Sequence, residues 1–324
     1  RSGFMLEGHT NGTELAVPGS LMPKAMDNSI SRRVCFTDLD RNGHMNNTKY
    51  LEWVMDLLPK PERVALDGEI MVYFFDVGQS DSILIMAPEV NVLIDAGDND
   101  CEEDLEKYLD DLGITTLHCV IATHPHEDHI GSMDMILDEF TVNNLLMPNA
   151  EVDADTFNAT GDYTRMMEGA AEQGSTVTYV KGGDTFNFGD LYFEFLAPNA
   201  TDYADLNDWS LVTKVTYGST SMILTGDAEA HSEEQILEKY SSSQLDCDIL
   251  KSGHHGSSSS SGEAFLDAID AEIAVISCGT GNKYGHPNQP VLDRYAERDM
   301  TVYRTDLAGT IVFVSNGAEF TRVQ

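Results

Sequence analysis

The strongest clue to the fold is the segment Thr123-His124-Pro125-His126-Glu127-Asp128-His129-Ile130-Gly131, which directly follows the apolar run Cys119–Ala122. It places four potential metal ligands within six residues: His124, His126, Asp128 and His129. On a turn that leaves a β-strand, side chains at this spacing can converge on one point. Imidazole and carboxylate groups together suit zinc or a neighbouring first-row metal. The HxHxDH pattern therefore predicts a metal site, whereas a pair of histidines alone would more often be structural.

Two unequal parts lie around this segment. The proline-bearing stretch Pro59-Lys60-Pro61-Glu62 predicts a boundary, so we expect domains at 1–65 and 66–324. Beyond the boundary, apolar runs alternate with amphipathic ones, and this alternation predicts a layered α/β protein with sheets inside and helices outside. The predicted helices are Glu102–Leu112, Thr164–Glu172, Ser232–Tyr240, Glu263–Ala268 and Pro290–Arg298.

Further motifs extend the pattern along the chain. They are Phe75-Asp76-Val77-Gly78-Gln79, Leu93-Ile94-Asp95-Ala96-Gly97, Leu224-Thr225-Gly226-Asp227-Ala228-Glu229, Leu250-Lys251-Ser252-Gly253-His254-His255-Gly256-Ser257 and Tyr284-Gly285-His286-Pro287. Together with HxHxDH they resemble the metallo-β-lactamase superfamily over about three quarters of the chain. The resemblance implies an αββα sandwich, preceded here by a short hotdog-derived fragment.

The resemblance also implies roles for the motif residues. His124 and His126 would bind one metal, Asp128 and His129 the second, and Asp227 both. His254 would be the last ligand of the second metal, and Asp95 would orient ligating imidazoles. Catalytic roles would fall to Asp128, His255 and His286, and substrate contacts to Ser257 and Tyr284.

One feature departs from the superfamily pattern. Most members supply a third histidine to the first metal, but no histidine lies between His129 and His231. Asp208, Asn207 or water would complete that position. We therefore expect two divalent ions, zinc first, with manganese or iron as alternatives.

Within the superfamily, the motifs are most similar to the hydrolase domain of the competence protein ComEC and to phosphorylcholine esterases. This likeness implies an enzyme that hydrolyses phosphodiesters, or promiscuously phosphotriesters, through a metal-bridging hydroxide. Two alternatives stay open: a metallo-hydrolase of thioesters, lactones or β-lactams, and a non-enzymatic assembly module with a vestigial site.

Charge and cysteine content bear on partners and compartment. Nineteen basic residues against fifty-five acidic ones give a net charge of −36. Such a surface repels nucleic acid and anionic membranes, so we expect a small-molecule ester as substrate. No apolar stretch reaches the length of a membrane-spanning helix. Five scattered cysteines favour reduced thiols and a cytoplasmic setting, with secretion left open.

The amino-terminal part carries a second resemblance. Residues from about Val17 to Pro59 resemble acyl-ACP thioesterases of hotdog fold, and the catalytic DxNxH set of that family matches Asp40, Asn42 and His44. The likeness covers only about forty residues, and half a hotdog lacks the strands that wrap its helix. We therefore interpret residues 1–65 as a truncated fragment with a vestigial thioesterase set, which could join two chains in a homodimer.

Overall fold

The computed structural model of the chain describes residues 5–10, 13–16, 68–149 and 161–324. The chain divides into two units, residues 1–64 and 65–324. In the first unit, the strands β1 (Met5–Thr10) and β2 (Thr13–Ala16) pair antiparallel. Asp40, Asn42 and His44, on which the thioesterase interpretation depends, lie outside the described residues.

The second unit is built on two large mixed sheets. In chain order, the strands of its described part are β3 (Ile70–Phe74), β4 (Ile83–Ala87), β5 (Val90–Ile94), β6 (Thr116–Leu117), β7 (Cys119–Ile121), β8 (Thr141–Val142), β9 (Asn144–Pro148), β10 (Thr176–Val180), β11 (Thr185–Phe188), β12 (Leu191–Phe195), β13 (Thr213–Tyr217), β14 (Thr220–Leu224), β15 (Ile249–Lys251), β16 (Ile273–Ile276), β17 (Thr301–Arg304), β18 (Ile311–Ser315) and β19 (Phe320–Arg322). The first sheet has the order β10-β9-β7-β5-β4-β3-β18-β19 and the second the order β11-β12-β13-β14-β15-β16-β17, while β6 and β8 form a separate pair.

Helices connect many of these strands. In chain order, those of the described residues are α1 (Glu102–Asp111), α2 (Glu127–Ile130), α3 (Met133–Glu139), α4 (Asp162–Gln173), α5 (Ala230–Lys239), α6 (Ser242–Leu245), α7 (Glu263–Ile269), α8 (Gln289–Glu297) and α9 (Thr305–Ala308). Short 3-10 turns lie at Asn99–Cys101, Asn207–Trp209 and Gly253–Gly256. None of the helices that the structure describes combines the length and apolarity needed to cross a bilayer.

The core has three apolar layers, because side chains alternate along each strand. In β3, Ile70, Val72 and Phe74 belong to the layer between the two sheets, where they meet side chains of the second sheet such as Phe193. Tyr73 points the other way, into the layer under helices such as α1. A third layer separates the second sheet from its own helices. Strands buried on both faces explain the continuous apolar runs in the sequence.

This arrangement is the αββα sandwich that the sequence predicted. The strand pairs β5–β7 and β14–β15 are both parallel. Within each pair the carboxyl ends therefore lie side by side, and the segments that follow them can carry polar side chains to one edge of the sandwich. Asp95 follows β5, His124 follows β7, Asp227 follows β14, and His254 follows β15. The fold thus places distant motifs at one edge.

Candidate metal centre

The HxHxDH segment is anchored where β7 ends. The backbone N–H and the hydroxyl of Thr123 donate hydrogen bonds to the two carboxylate oxygens of Asp95, at 2.8 and 2.7 Å. Helix α2 follows, and Gly131 closes it. A Cβ atom on Gly131 would lie 2.5 Å from the backbone nitrogen of Asn99. Only glycine lets the helix pack this closely on the neighbouring loop, which fixes the position of the whole segment.

His129 is fully buried between two carboxylates. Its Nδ1 lies 2.7 Å from Asp95 Oδ2, and its Nε2 lies 3.2 Å from Asp227 Oδ1. Burial lowers the pKa of His129, but the charges of Asp227 and Asp95 outweigh burial and raise the pKa well above its usual value. Because the Asp95 carboxylate accepts hydrogen bonds, Nδ1 carries a proton and the Nε2 side is directed at Asp227.

His129 belongs to a group of four donors. One donor atom from each of Asp128, His129, Asp227 and His255 lies within 4.8 Å of the others. His255 Nε2 is 3.4 Å from Asp128 Oδ2 and 3.6 Å from Asp227 Oδ2. Its Nδ1 lies 3.1 Å from the backbone oxygen of Ser277, which can only accept. In the neutral ring, the lone pair of His255 is therefore on Nε2 and faces the two carboxylates.

The hydrogen bonding of this group tests whether a metal ion fits it. Three of its buried donor atoms, His129 Nε2, Asp227 Oδ1 and His255 Nε2, have no hydrogen-bond partner. Buried polar atoms are nearly always paired, and a cation among these ligand atoms would give each of them a partner. Imidazole and carboxylate are ligands that divalent first-row metals accept. The residues present therefore fit a divalent ion.

His124 and His126 lie beside this group. His124 Nε2 and His126 Nδ1 are 3.0 Å apart, and the ring centroids are 4.8 Å apart. Burial, with a contribution from His129, lowers the pKa of His124 well below its usual value, so the ring is neutral. The ring centroid of His124 is 4.2 Å from that of His129. Two imidazole nitrogens that face each other next to the four-donor group can hold a second cation.

The consecutive histidines after β15 have different environments. Both adopt left-handed backbone, with φ of 46° at His254 and 53° at His255, which non-glycine residues adopt at a cost. His255 is buried within the four-donor group. The side chain of His254 is 25% exposed, and its Nε2 lies 3.6 Å from Asp227 Oδ2. The resemblance implied that His254 binds the second metal and that His255 acts in catalysis, but in the structure His255 is the one that lies within the four-donor group, and this geometry supports the reverse assignment.

An open cavity of about 690 Å³ lies over the donors. Five of its fourteen lining residues are acidic, and the lining combines ligand candidates with outer residues: Gln79, Asp98, Asp100, His126, Glu127, Asp128, Asn207, Asp227, His254, His255, Asn282, Lys283, Tyr284 and His286. Tyr284 is 56% exposed and stacks on His286, with ring centroids 5.6 Å apart. The predicted substrate contact Tyr284 and the predicted catalytic residue His286 thus both face the cavity.

Three other predicted site residues have different positions. Asp208 is not among the cavity-lining residues, and its Oδ1 accepts from the backbone N–H of Ser232, in α5, at 3.3 Å. The hydroxyl of Ser257 lies 2.8 Å from that of Ser259, and Ser257 is not among the cavity-lining residues. Asn207 does line the cavity, and its buried Oδ1 has no hydrogen-bond partner. The fold therefore favours Asn207 over Asp208 as the residue that completes the first metal position.

Sequence reasoning missed a buried ion pair behind the donors. Lys251 is fully buried, and its ammonium group pairs with the carboxylate of Asp81 and donates to the backbone oxygen of Gly226 at 3.2 Å. Asp81 lies 3.5 Å from His255 Nδ1 and 3.8 Å from His129 Nδ1. Lys251 stands inside a quoted motif and Asp81 lies two residues after another, but a charged residue at a strand end usually faces solvent. In the sequence, the only sign that Lys251 and Asp81 belong to the site is that both lie close to candidate ligands.

Comparisons with known proteins agree with this site. The family model of the metallo-beta-lactamase superfamily matches residues 75–280, and that of the acyl-ACP thioesterase C-terminal domain matches residues 22–67. ComE operon protein 3 of Bacillus subtilis is 34% identical over 267 residues, which are 77% of this chain and 33% of that protein. Competence protein ComA of Neisseria gonorrhoeae is 30% identical over 258 residues, which are 78% of this chain and 33% of that protein.

The chain thus spans about a third of the length of these relatives. Among solved structures, CmlA, a diiron beta-hydroxylase from Streptomyces venezuelae, aligns with a TM-score of 0.51 and 13% identity, over 87% of this chain and 61% of that chain. This likeness shows a shared fold. The superfamily match alone covers well over half of the chain and includes every ligand candidate from His124 to His255. The chain therefore belongs to the metallo-beta-lactamase superfamily, with an acyl-ACP thioesterase-like fragment ahead of that domain.

Proposed function

We propose that residues 66–324 form a dinuclear metal-dependent phosphoesterase, acting on phosphodiesters or, promiscuously, on phosphotriesters. The observation that carries the proposal is the convergence of Asp128, His129, Asp227 and His255, with unpaired buried donors, beneath an open cavity. Membership of a superfamily composed mostly of hydrolases supports hydrolysis. The likeness of the motifs at 75–79 and 250–257 to phosphoester-cleaving members supports phosphorus as the electrophile.

The geometry supports a proposed assignment of the metal ligands. One divalent ion would be held by Asp128, His129, Asp227 and His255, and the other by His124 and His126 with Asp227 between them; Asn207 is the candidate for the remaining ligand. Bound ions of this kind supply Lewis acidity, which lowers the pKa of water and polarises the oxygen of the electrophile. Zinc is the proposed metal, with manganese and iron as alternatives, because a mixed nitrogen and oxygen donor set accepts all three.

The other side chains can handle protons and charge. Asp128 is 34% exposed, whereas Asp227 is 1% exposed, so Asp128 is the carboxylate placed to accept a proton from attacking water. Burial and the neighbouring His254 lower the pKa of His286 to about 4. His286 is therefore neutral at pH 7, and a neutral imidazole can donate one hydrogen bond to a phosphoryl oxygen. His254 and Tyr284 complete the surface that would contact the substrate.

Charge limits the substrate. Asp98, Asp100 and Glu127 lie on the cavity wall, and the whole chain has a net charge of −36. The negative electrostatic field of these carboxylates opposes the approach of a polyanion. We therefore propose a small phosphodiester rather than nucleic acid. The names of the two relatives refer to competence, so DNA belongs among the compounds tested.

The test is a substrate panel at fixed metal loading. Full-length protein would be stripped with a chelator, reloaded separately with zinc, manganese or iron, and given a chromogenic phosphodiester, a phosphotriester, a thioester, a lactone, a β-lactam and single-stranded DNA. The proposal predicts metal-dependent turnover that is fastest on the phosphodiester. Turnover confined to thioesters, lactones or β-lactams would replace it with carboxyl chemistry, and tight metal binding without any turnover would support an assembly module.

For residues 1–65 we propose a packing or oligomerisation element without thioesterase activity. Its resemblance to acyl-ACP thioesterases covers only part of a hotdog fold. Light scattering of the full chain and of a variant lacking residues 1–65 tests this proposal. A dimer that becomes a monomer supports it, and an unchanged mass together with unchanged kinetics would refute it.

A further inference from the structure

Two imidazoles stand side by side on the cavity wall. The ring centroids of His254 and His286 are 5.5 Å apart, and the rings are nearly perpendicular at 79°. Each ring has its Nδ1 in contact with a polar side chain: Glu229 for His254, at 3.0 Å, and Gln79 for His286, at 3.4 Å. The two partners have opposite hydrogen-bonding chemistry, and the proposed function assigns neither of them a role.

Glu229 is a carboxylate held by several segments of the chain. Its Oε1 accepts from the hydroxyl of Ser259 at 2.8 Å and from the side-chain amide of Asn207 at 3.4 Å, in addition to contacting His254 Nδ1. A carboxylate can only accept, so the nitrogen that faces it must carry the proton. In the neutral ring of His254, the lone pair is then on Nε2, which lies 3.6 Å from Asp227 Oδ2, beyond hydrogen-bond distance.

Gln79 has the opposite effect because its amide orientation is fixed. The backbone N–H of Gly279 donates to Gln79 Oε1 at 3.0 Å, so the oxygen is on that side and the NH₂ group faces His286. A Cβ on Gly279 would lie 2.9 Å from the backbone nitrogen of Gln79, so the two segments are in close contact. An amide NH₂ group can only donate, and His286 Nδ1 must therefore accept. The proton of neutral His286 is then on Nε2.

We propose that Glu229 and Gln79 are positioning residues that hold the two cavity imidazoles in opposite tautomers. His254 carries its proton on Nδ1 and presents an acceptor, while His286 carries its proton on Nε2 and presents a donor. A substrate therefore meets one acceptor and one donor side by side. The proposal deepens the proposed function and rests on it in one respect, that the cavity is the substrate site.

The tautomers can be observed directly. Full-length protein labelled with ¹⁵N-histidine and loaded with zinc, which is diamagnetic, would be studied by long-range ¹H–¹⁵N correlation spectra. His254→Gln and His286→Gln variants assign the two rings by loss of signal. We expect protonated Nδ1 in His254 and protonated Nε2 in His286. The same tautomer in both rings, or the reverse arrangement, would overturn the proposal.

Variants separate positioning from a general structural role. Glu229→Ala should abolish the single-tautomer pattern of His254, whereas Glu229→Gln should keep it, because the retained Oε1 still accepts.

The Gln79 variants test the tautomer of His286. Gln79→Glu should move the proton of His286 to Nδ1, because a carboxylate then faces that nitrogen. If the glutamate variant does not fold, Gln79→Met replaces it: methionine cannot donate, so His286 should show a mixture of tautomers. As a control, Glu234→Ala removes an exposed carboxylate from helix α5, which begins directly after Glu229. This variant should change the tautomer of neither His254 nor His286. An unchanged His254 spectrum in Glu229→Ala would refute the assignment.

Kinetics give an independent readout. Removing a partner that orients a metal-ligating imidazole typically costs tenfold to a hundredfold in metal affinity or activity, and we expect the same range for an imidazole beside the metals. We expect a kcat loss of about this size in Glu229→Ala with unchanged metal content, and no further loss when the change is made in the His254→Gln background. An additional loss in that background would show that Glu229 does not act through His254. If the wild type hydrolyses no phosphodiester, the proposed function fails, and the spectra still decide this inference.

Discussion

His129 Nδ1 lies 2.7 Å from Asp95 Oδ2, a contact between residues 34 positions apart in the chain. Asp95 has a left-handed backbone, with φ of 58°, directly after β5. This turn directs its carboxylate at both Thr123 and His129, so the contact orients the ring and leaves Nε2 facing Asp227. A carboxylate behind a ligating imidazole is a common means of fixing its tautomer.

The first prediction concerns that carboxylate. Asp95→Asn should lower metal affinity by about tenfold to a hundredfold, because an amide cannot accept from both Thr123 and His129 with the same strength. Competition with a chromophoric chelator measures the effect. Asp138→Asn, an exposed change on α3, is the control and should leave affinity unaltered. Equal affinities in the two variants would contradict the orienting role.

The second prediction separates the consecutive histidines. His255→Ala should lose bound metal, because His255 is buried within the four-donor group. His254→Ala should keep its metal and lose turnover, because His254 lies on the cavity wall. Metal content per chain after gel filtration distinguishes the two. If metal is lost from His254→Ala but kept in His255→Ala, the original sequence-based assignment was right.

The third prediction concerns the buried ion pair. Lys251→Met should destabilise the fold by about 3–5 kcal/mol, because it leaves the carboxylate of Asp81 buried without its cation. Urea unfolding monitored by circular dichroism measures the change. Adding Asp81→Asn to Lys251→Met should recover part of the loss, since the uncompensated charge is then removed. A double variant less stable than Lys251→Met would argue against charge compensation.

The fourth prediction is a pH dependence. Glu233 is 5% exposed, and burial raises its pKa to about 7, although the backbone N–H groups of Gly262 and Ser261 partly oppose the shift. The folded state then binds the proton of the Glu233 carboxyl more tightly than the unfolded state does. The stabilisation that this proton gives is fully present below pH 4.5 and is lost as pH rises through about 7. Relative to Glu233→Gln, the wild type should lose on the order of 3 kcal/mol of unfolding free energy across this range. If the difference in unfolding free energy between the two proteins stays the same at every pH, the pKa of Glu233 is not raised.

Much of the fold was predictable from local pattern. Runs such as Ile70–Phe74 and Val90–Ile94 are apolar because both faces of each strand are buried, and continuous apolar runs of this length predict buried strands. β11 (Thr185–Phe188) lacks this signal, because it is an edge strand that alternates exposed and half-buried residues and includes polar side chains. Helix α2 within the HxHxDH segment is only four residues long and lacks the periodicity that identifies a helix.

The sequence by itself predicted the ligand types and one half of the candidate site, because His124, His126, Asp128 and His129 are gathered by a single turn and its helix. Tertiary structure alone decided which of His254 and His255 enters the donor group, because adjacent residues differ in burial only once β15 has a defined place in its sheet. The same holds for Gln79, whose amide is oriented by a residue 200 positions away. Contacts of that span depend on strand pairing and sheet packing, which local spacing does not encode.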